Sequence, residues 1–278
     1  KAKIIPLTWR KTLDFGNFLE LKKQLQKEDY HIFHIHSGQL NAFAKIMARS
    51  LGIPAVVLTE HMAVSNHGWI KNKLALFLHL SLHQLSDLLV DKVITVSDAS
   101  REAFITRQGV SPAKAETIYN GIDLEENQTQ AGDKNSIKAE LGIPADAPVL
   151  AVIGRLSPEK GQRIFVLSGR EIVKDYPKAR FLLIGDGPQR HQLEELIAEV
   201  GLQENFILTG FRKNITATLE IVDIVIQPSL VSGEAFGLTV AEAMAKAKAV
   251  IASDISCFRE IISDQVNGLL FSAGDQHS

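Results

Sequence analysis

Short runs of Val, Ile, Leu and Phe alternate along the chain with longer segments in which apolar residues recur every three or four positions. Runs of the first kind, closed by turn residues, predict buried strands; segments of the second kind predict helices with one packed face. An apolar run at 1–6 opens the chain. Then come a helical pattern at 17–28, a strand at 31–36, a helix at 41–50, a strand at 55–59, a helix at 74–90, a strand at 93–96 and a helix at 99–108. The stretch 125–135, rich in Glu, Gln, Asn and Gly, reads as a linker. Beyond it the alternation resumes, with strands at 149–153, 180–184, 206–209, 224–227 and 249–252 and helices at 161–174, 189–200, 215–221 and 238–245. Strands that are apolar throughout belong to parallel sheets covered by helices on both faces. The pattern predicts an α/β protein of two doubly wound, Rossmann-like domains facing a cleft, residues 1–130 and 131–278, with ligands outside the carboxyl ends of the strands.

Composition narrows the partners. A chain of 278 residues, 45% hydrophobic and 22% charged, suits two globular domains. A formal net charge of −2 supplies no global basic field, so nucleic acid is not an expected partner and phosphate binding must be local. The single cysteine, Cys257, cannot close an internal disulfide, which fits a reducing, cytoplasmic setting; the Asn127 and Asn214 sequons then read as chance. No signal or transit peptide is read at the start. The apolar segment 74–90 is interrupted by His79, His83, Gln84 and Asp87 and falls short of a membrane span. It reads as an amphipathic helix that, with Trp69, Lys71 and Lys73 before it, could rest peripherally on a membrane.

The chemistry concentrates in Ser232-Gly233-Glu234-Ala235-Phe236-Gly237-Leu238-Thr239-Val240-Ala241-Glu242-Ala243-Met244-Ala245, a Ser/Gly loop that becomes a run of helix formers near Gly237. The first N–H groups of that helix, Leu238 to Val240, are expected to lack partners and to carry the positive end of its dipole, an anion site. Glu242 projects from the same face one turn deeper, Glu234 lies in the loop on the other side, and Gly233 and Gly237 would let backbone approach a ligand. Neither carboxylate is placed as a metal ligand. A nucleotide sugar fits such a site, with ribose on one side of the phosphates and the transferred sugar on the other. A second loop, Gly154-Arg155-Leu156-Ser157-Pro158-Glu159-Lys160-Gly161, follows a strand and precedes a helix, so Arg155 and Lys160 could point at one anion. At about 4 Å and an effective dielectric near 20, each such charge pair is worth on the order of 4 kcal/mol. Taken alone, the loop reads by default as a solvated turn with Glu159 paired to Lys160.

The first stretch resembles the Glu-x7-Glu signature of retaining glycosyltransferases of the GT-B fold, above all glycosyltransferase family 4 (glycosyl transferases group 1). The resemblance implies that Glu234 contacts the donor sugar and Glu242 the ribose, with Phe236, Gly237, Leu238 and Thr239 beside the nucleotide. The second loop resembles the family's Gly-Arg-x4-Lys-Gly element, whose cations bind the donor diphosphate. Thr209-Gly210-Phe211-Arg212 resembles the segment against the base, with backbone near Arg212 reading its edge. Gly185-Asp186-Gly187-Pro188 and Asn120-Gly121-Ile122-Asp123 resemble family turns with structural roles. His61, after Thr59 and Glu60, resembles the histidine that reaches the donor sugar or its phosphate. His34 and His36 share a strand face but have no third metal ligand at suitable spacing; His36 is expected in an acceptor-side wall and His34 in packing. There is no Asp-x-Asp metal clamp.

The implied function is retaining, metal-independent transfer of a hexose from a UDP- or GDP-linked sugar to a hydroxyl on a glycan, lipid or small molecule. No cofactor beyond the donor substrate is implied, and Glu234, His61, Arg155 and Lys160 would be the catalytic set. The family usually has a strand and Gly-rich loop before the point matching Lys1 and a helix after the point matching Ser278. Lys246-Ala247-Lys248-Ala249 replaces its common Cys-Gly-x-Pro, and Ser256-Cys257 its Gly-Gly. The expectation is therefore a chain truncated at both ends, or a degenerate copy, with impaired turnover. A nucleotide-sugar-binding module without turnover and a sugar-nucleotide epimerase of the same fold stay open. A nicotinamide dehydrogenase is disfavoured, since neither domain carries Gly-x-Gly-x-x-Gly after its first visible strand.

Overall fold

The computed structural model describes residues 15–36, 41–61, 81–82, 85–124, 133–230 and 234–277. The run at 1–6, most of the segment 69–90, residues 125–132, and Ser232 with Gly233 lie outside the described residues. The chain divides into two compact units, Lys1–Tyr119 and Asn120–Ser278.

The first unit carries α1 (Phe15–Leu25), β1 (Ile32–His36), α2 (Asn41–Ser50), β2 (Ala55–Glu60), β3 (Lys92–Thr95), α3 (Asp98–Gln108) and β4 (Ala115–Thr117). Its four described strands are parallel and lie in chain order β1-β2-β3-β4. Ile35, Val56, Leu58, Val93 and Phe104 are buried where the sheet meets its helices. Ser97 caps α3 by accepting from the Ser100 N–H, and Gly109 ends it at φ 71°. β4 was not predicted: Ala-Glu-Thr has no apolar run, and it becomes a strand only by pairing Ala115 with Val93. At the end of this unit both Thr117 and Tyr119 donate side-chain hydrogen bonds to Asp98.

The second unit carries α4 (Lys134–Glu140), β5 (Val149–Ile153), a 3₁₀ turn (Pro158–Lys160), α5 (Gln162–Asp175), β6 (Arg180–Ile184), α6 (Arg190–Glu199), β7 (Phe206–Gly210), α7 (Ile215–Leu219), β8 (Ile224–Gln227), α8 (Leu238–Ala245), β9 (Ala249–Ser253), α9 (Ser256–Arg259) and β10 (Leu269–Phe271). The parallel order β10-β9-β8-β5-β6-β7 reverses between β5 and β8, which opens a crevice at the carboxyl ends of those two strands. Phe165 of α5 meets Phe181 and Phe206 edge-on, and Phe181 and Phe206 stack at 4.7 Å. Gly169 lets α5 come this close, because a Cβ there would stand 2.8 Å from the Phe206 ring.

Two departures from the sequence pattern have local causes. α4 begins inside the stretch read as linker: Asp133 accepts from the Asn135 N–H at its start, and none of its residues is buried, so no apolar period announces it. Ala247 adopts φ 52°, the left-handed conformation that a glycine would take without strain. Among the described residues no helix is long and apolar enough to cross a membrane.

Candidate active site

Three loops meet at the switch point of the second sheet. The loop after β5 packs on the loop after β6 through backbone: Gly154 N–H donates to Ile184, Leu156 N–H to Asp186 and Gln189 N–H to Leu156. A Cβ on Gly187 would lie 2.4 Å from the Leu156 carbonyl oxygen, so this approach requires glycine. On its other side the β5 loop meets the segment after β8. Leu230 N–H donates to the Glu159 carbonyl at 2.8 Å. Gly161, at φ 68°, sits so close to Pro228 that a Cβ would fall 1.9 Å from its carbonyl oxygen.

These contacts bring Lys160 and Glu234 together across 74 residues of sequence. The Lys160 ammonium forms an ion pair with Glu234 Oε1. The same oxygen accepts from Ser229 Oγ at 3.0 Å and from Gln227 Nε2 at 3.2 Å. Only 10% of the Glu234 side chain and 22% of the Lys160 side chain remain exposed. The sequence alternative, Glu159 paired with Lys160, is not what forms: Glu159 takes the Ser157 hydroxyl at 2.6 Å. Burial works against the charge on Glu159, and the Ser157 hydroxyl, its own backbone, Lys160 and Arg155 outweigh burial to hold its carboxyl below the ordinary range. Arg155 is exposed, and among the described residues its guanidinium has no hydrogen-bond or ion-pair partner. Gln162, fully buried, anchors that loop from below by donating to the Arg155 carbonyl at 2.8 Å.

The amino end of α8 is narrower than its sequence suggested. Val240 N–H, expected to be open, donates to the Gly237 carbonyl at 3.0 Å; only the N–H groups of Leu238 and Thr239 lack a partner among the described residues. Gly237 has a packing task that its position did not announce. Its φ is 102°, and a Cβ would lie 2.7 Å from the buried Phe258 ring, so the glycine admits that ring beneath the turn. Phe236 is itself buried. Glu242, one turn into α8, is half-buried with no hydrogen-bond partner among the described residues, and burial raises its carboxyl above the ordinary range. Cys257, at the start of α9, is buried, and its thiol is pushed up to about 12 by burial first and by the charges of Glu234 and Glu260 next.

Arg212 forms a two-pronged ion pair with Glu140 of α4, at 2.7 and 3.0 Å, so its side chain is engaged. The hydrogen bond from Arg212, and then its charge, depress the Glu140 carboxyl.

In the first unit, the ends of β1 and β2 gather three imidazoles. His36 Nδ1 and His61 Nε2 share one hydrogen bond at 2.8 Å, and His34 Nε2 meets Thr59 Oγ1 at 2.7 Å. The His34 and His36 rings stand 4.4 Å apart. One expectation changes: His34 is exposed rather than packed, on the open face of β1. Strand register, rather than sequence spacing, brings His61 beside the pair. Among the described residues no group of three His, Cys, Asp or Glu could hold a metal ion. Partial loss of hydration first, then neighbouring imidazoles, lowers the pKa of His34 and of His61, although both side chains keep much of their surface exposed. Sequence reasoning missed Gln227, Ser229 and Gln162, since an isolated Gln or Ser beside a strand carries no signal until its distant partner is known.

Comparison with known proteins gives a family for each half of the chain. Residues 133–278, more than half of it, match the family model of glycosyl transferases group 1, and residues 1–126 match that of glycosyltransferase family 4. The chain is 28% identical over 266 residues to the Escherichia coli UDP-Gal:alpha-D-GlcNAc-diphosphoundecaprenol alpha-1,3-galactosyltransferase, covering 94% of this chain and 67% of that enzyme. It is 26% identical to the alpha-D-kanosaminyltransferase of Streptomyces kanamyceticus, covering 91% and 67%. The fold is similar to that of Anabaena HepE in complex with UDP and glucose, with a TM-score of 0.81, 24% identity, and coverage of 94% of this chain and 68% of that one. The UDP-glucose complex of HepE gives a TM-score of 0.77 at 25% identity, with coverage of 95% and 71%. The chain thus spans about two thirds of the length of these relatives.

Proposed function

The chain belongs to the glycosyl transferases of group 1, and from that membership we propose that it moves a hexose from a nucleotide-diphosphate sugar, UDP-linked by analogy with HepE, to an acceptor hydroxyl with retention. What carries the reading is the meeting of Lys160, Glu234 and the α8 amino end at the switch point, with Glu242 one turn deeper. The diphosphate rests against the Leu238 and Thr239 N–H groups, with Arg155 and Lys160 beside it. Glu242 accepts from ribose hydroxyls, Glu234 from sugar hydroxyls, and backbone near Arg212 borders the base.

In the reaction, the bond from the anomeric carbon to the diphosphate breaks and the diphosphate leaves with the electron pair. The acceptor oxygen forms the new bond, and its proton passes to the departing phosphate. The negative charge that builds on the diphosphate is met by groups already in place, which is how such sites lower a barrier. Because two side-chain cations and a helix end supply that positive charge, the transfer is read as independent of metal. Lys160 must exchange Glu234 for the diphosphate in the process. A donor-side role for His61 is carried over from the family resemblance.

The acceptor is a glycan, lipid or small molecule. The E. coli relative is named for an undecaprenol-linked acceptor, and we propose by analogy that the chain works in peripheral contact with the cytoplasmic face of a membrane. The test of the donor site is thermal shift against UDP and GDP, then UDP-glucose and UDP-galactose. Ligand at a hundred times its Kd adds about 2.7 kcal/mol of stability, so UDP raises Tm; no shift with any of the four defeats the proposal.

A further inference from the structure

We propose that Gln227 and Ser229 are positioning residues that hold one oxygen of Glu234 so that the other is presented to the donor sugar; this rests on the reading of Glu234 as the sugar-contacting acid. Gln227 ends β8, Ser229 follows two residues later, and they are 2% and 0% exposed. The Gln227 amide donates to Ser229 Oγ at 3.0 Å and to Glu234 Oε1 at 3.2 Å, and the Ser229 hydroxyl donates to the same Oε1 at 3.0 Å. All three protons these side chains own are spent within the triangle. Turning the Gln227 amide over would set its oxygen against a carboxylate oxygen, so the network fixes its orientation.

That orientation has a cost. Gln227 Oε1 is left buried with no hydrogen-bond partner. A methionine would fill the same space without burying an unsatisfied acceptor, so packing alone does not account for a glutamine. Its two N–H groups do account for it, because Glu234 is nearly buried and its ion partner, Lys160, is the cation expected to turn to the diphosphate. Once Lys160 leaves, an almost buried carboxylate depends on Gln227 and Ser229 to stay charged and in place. Both act on Oε1, while Oε2 has no partner among the described residues.

The experiment measures UDP release from UDP-glucose with water as acceptor, and UDP affinity, for Gln227→Met, Ser229→Ala and Ser229→Thr, each alone and combined with Glu234→Ala. A loosened Glu234 should lower kcat by about ten- to hundredfold, as misplacement near 1 Å does elsewhere, while UDP affinity, which also reports folding, stays unchanged. Ser229→Thr, which keeps the hydroxyl, restores turnover. In the Glu234→Ala background neither Gln227→Met nor Ser229→Ala adds a further loss. A loss that persists in that background means the two residues merely shape the strand end, and normal turnover in both single variants also overturns the proposal. If Glu234→Ala alone costs nothing, the reading of Glu234 falls and takes this inference with it.

Discussion

Glu242→Gln should weaken nucleotide binding while making the chain more stable, and the opposed signs make it an informative perturbation. The carboxylate of Glu242 is half-buried, has no hydrogen-bond partner among the described residues, and is held above the ordinary carboxyl range by loss of hydration. A carboxyl whose folded pKa exceeds its unfolded value binds more protons when folded, so stability falls as pH rises through the interval between the two. Near neutral pH the charge is therefore a burden on the fold, and glutamine removes it at nearly constant volume. Binding moves the other way. A hydrogen bond to a charged group contributes about 1.5–3 kcal/mol, so losing one charged acceptor for a ribose hydroxyl should raise the Kd for UDP by about 10- to 150-fold. Calorimetric titration with UDP and thermal melts between pH 4 and 8 read both quantities. The variant should melt higher than the parent at neutral pH and lose part of the parent's pH dependence. An unchanged Kd would remove Glu242 from the nucleotide site, and a lower Tm would make it a structural residue.

Other perturbations bear on other links. Arg155→Ala should change stability by no more than about 0.5 kcal/mol, because the guanidinium is exposed and unpartnered among the described residues; UDP affinity should fall, and equal affinity would detach Arg155 from the diphosphate. Ala247→Gly relieves a left-handed residue at φ 52°, and net of the added freedom of the unfolded chain it should stabilise by about 0.5–1 kcal/mol in a chemical denaturation series; a destabilised variant refutes the strain. His34 and His61 have folded pKa values below the unfolded one, so the folded chain binds fewer protons and loses stability as pH falls below about 6.5. A His34→Phe, His61→Phe double variant should flatten that loss, and an unaltered acid profile would contradict it.

The periodicity of the chain determined the order of strands and helices, and the strands 149–153, 180–184 and 224–227 coincide with β5, β6 and β8 to the residue. A strand buried on both faces must be apolar throughout, so its limits are written in its own composition. Elements whose stability comes from elsewhere were not legible in this way: β4 is a strand only because β3 pairs with it, and α4, seven residues long, buries none of them. The segments carrying Arg155, Arg212 and Glu234 also fall in loops after strands, as Gly and Pro, which mark where strands stop, had suggested.

What those residues touch was decided by tertiary structure. Lys160 and Glu234 meet because Gly161 can lie against the Pro228 carbonyl, a contact invisible to any local pattern. Gln227 and Ser229 acquire a role only once that acid arrives, and His61 joins His36 because β1 and β2 pair in a register that sets His36 beside Thr59. Local propensity specifies which groups are available at a strand end. Sheet register and backbone packing decide which of them share a proton or a charge, because those interactions act over a few ångströms in space and are indifferent to separation along the chain.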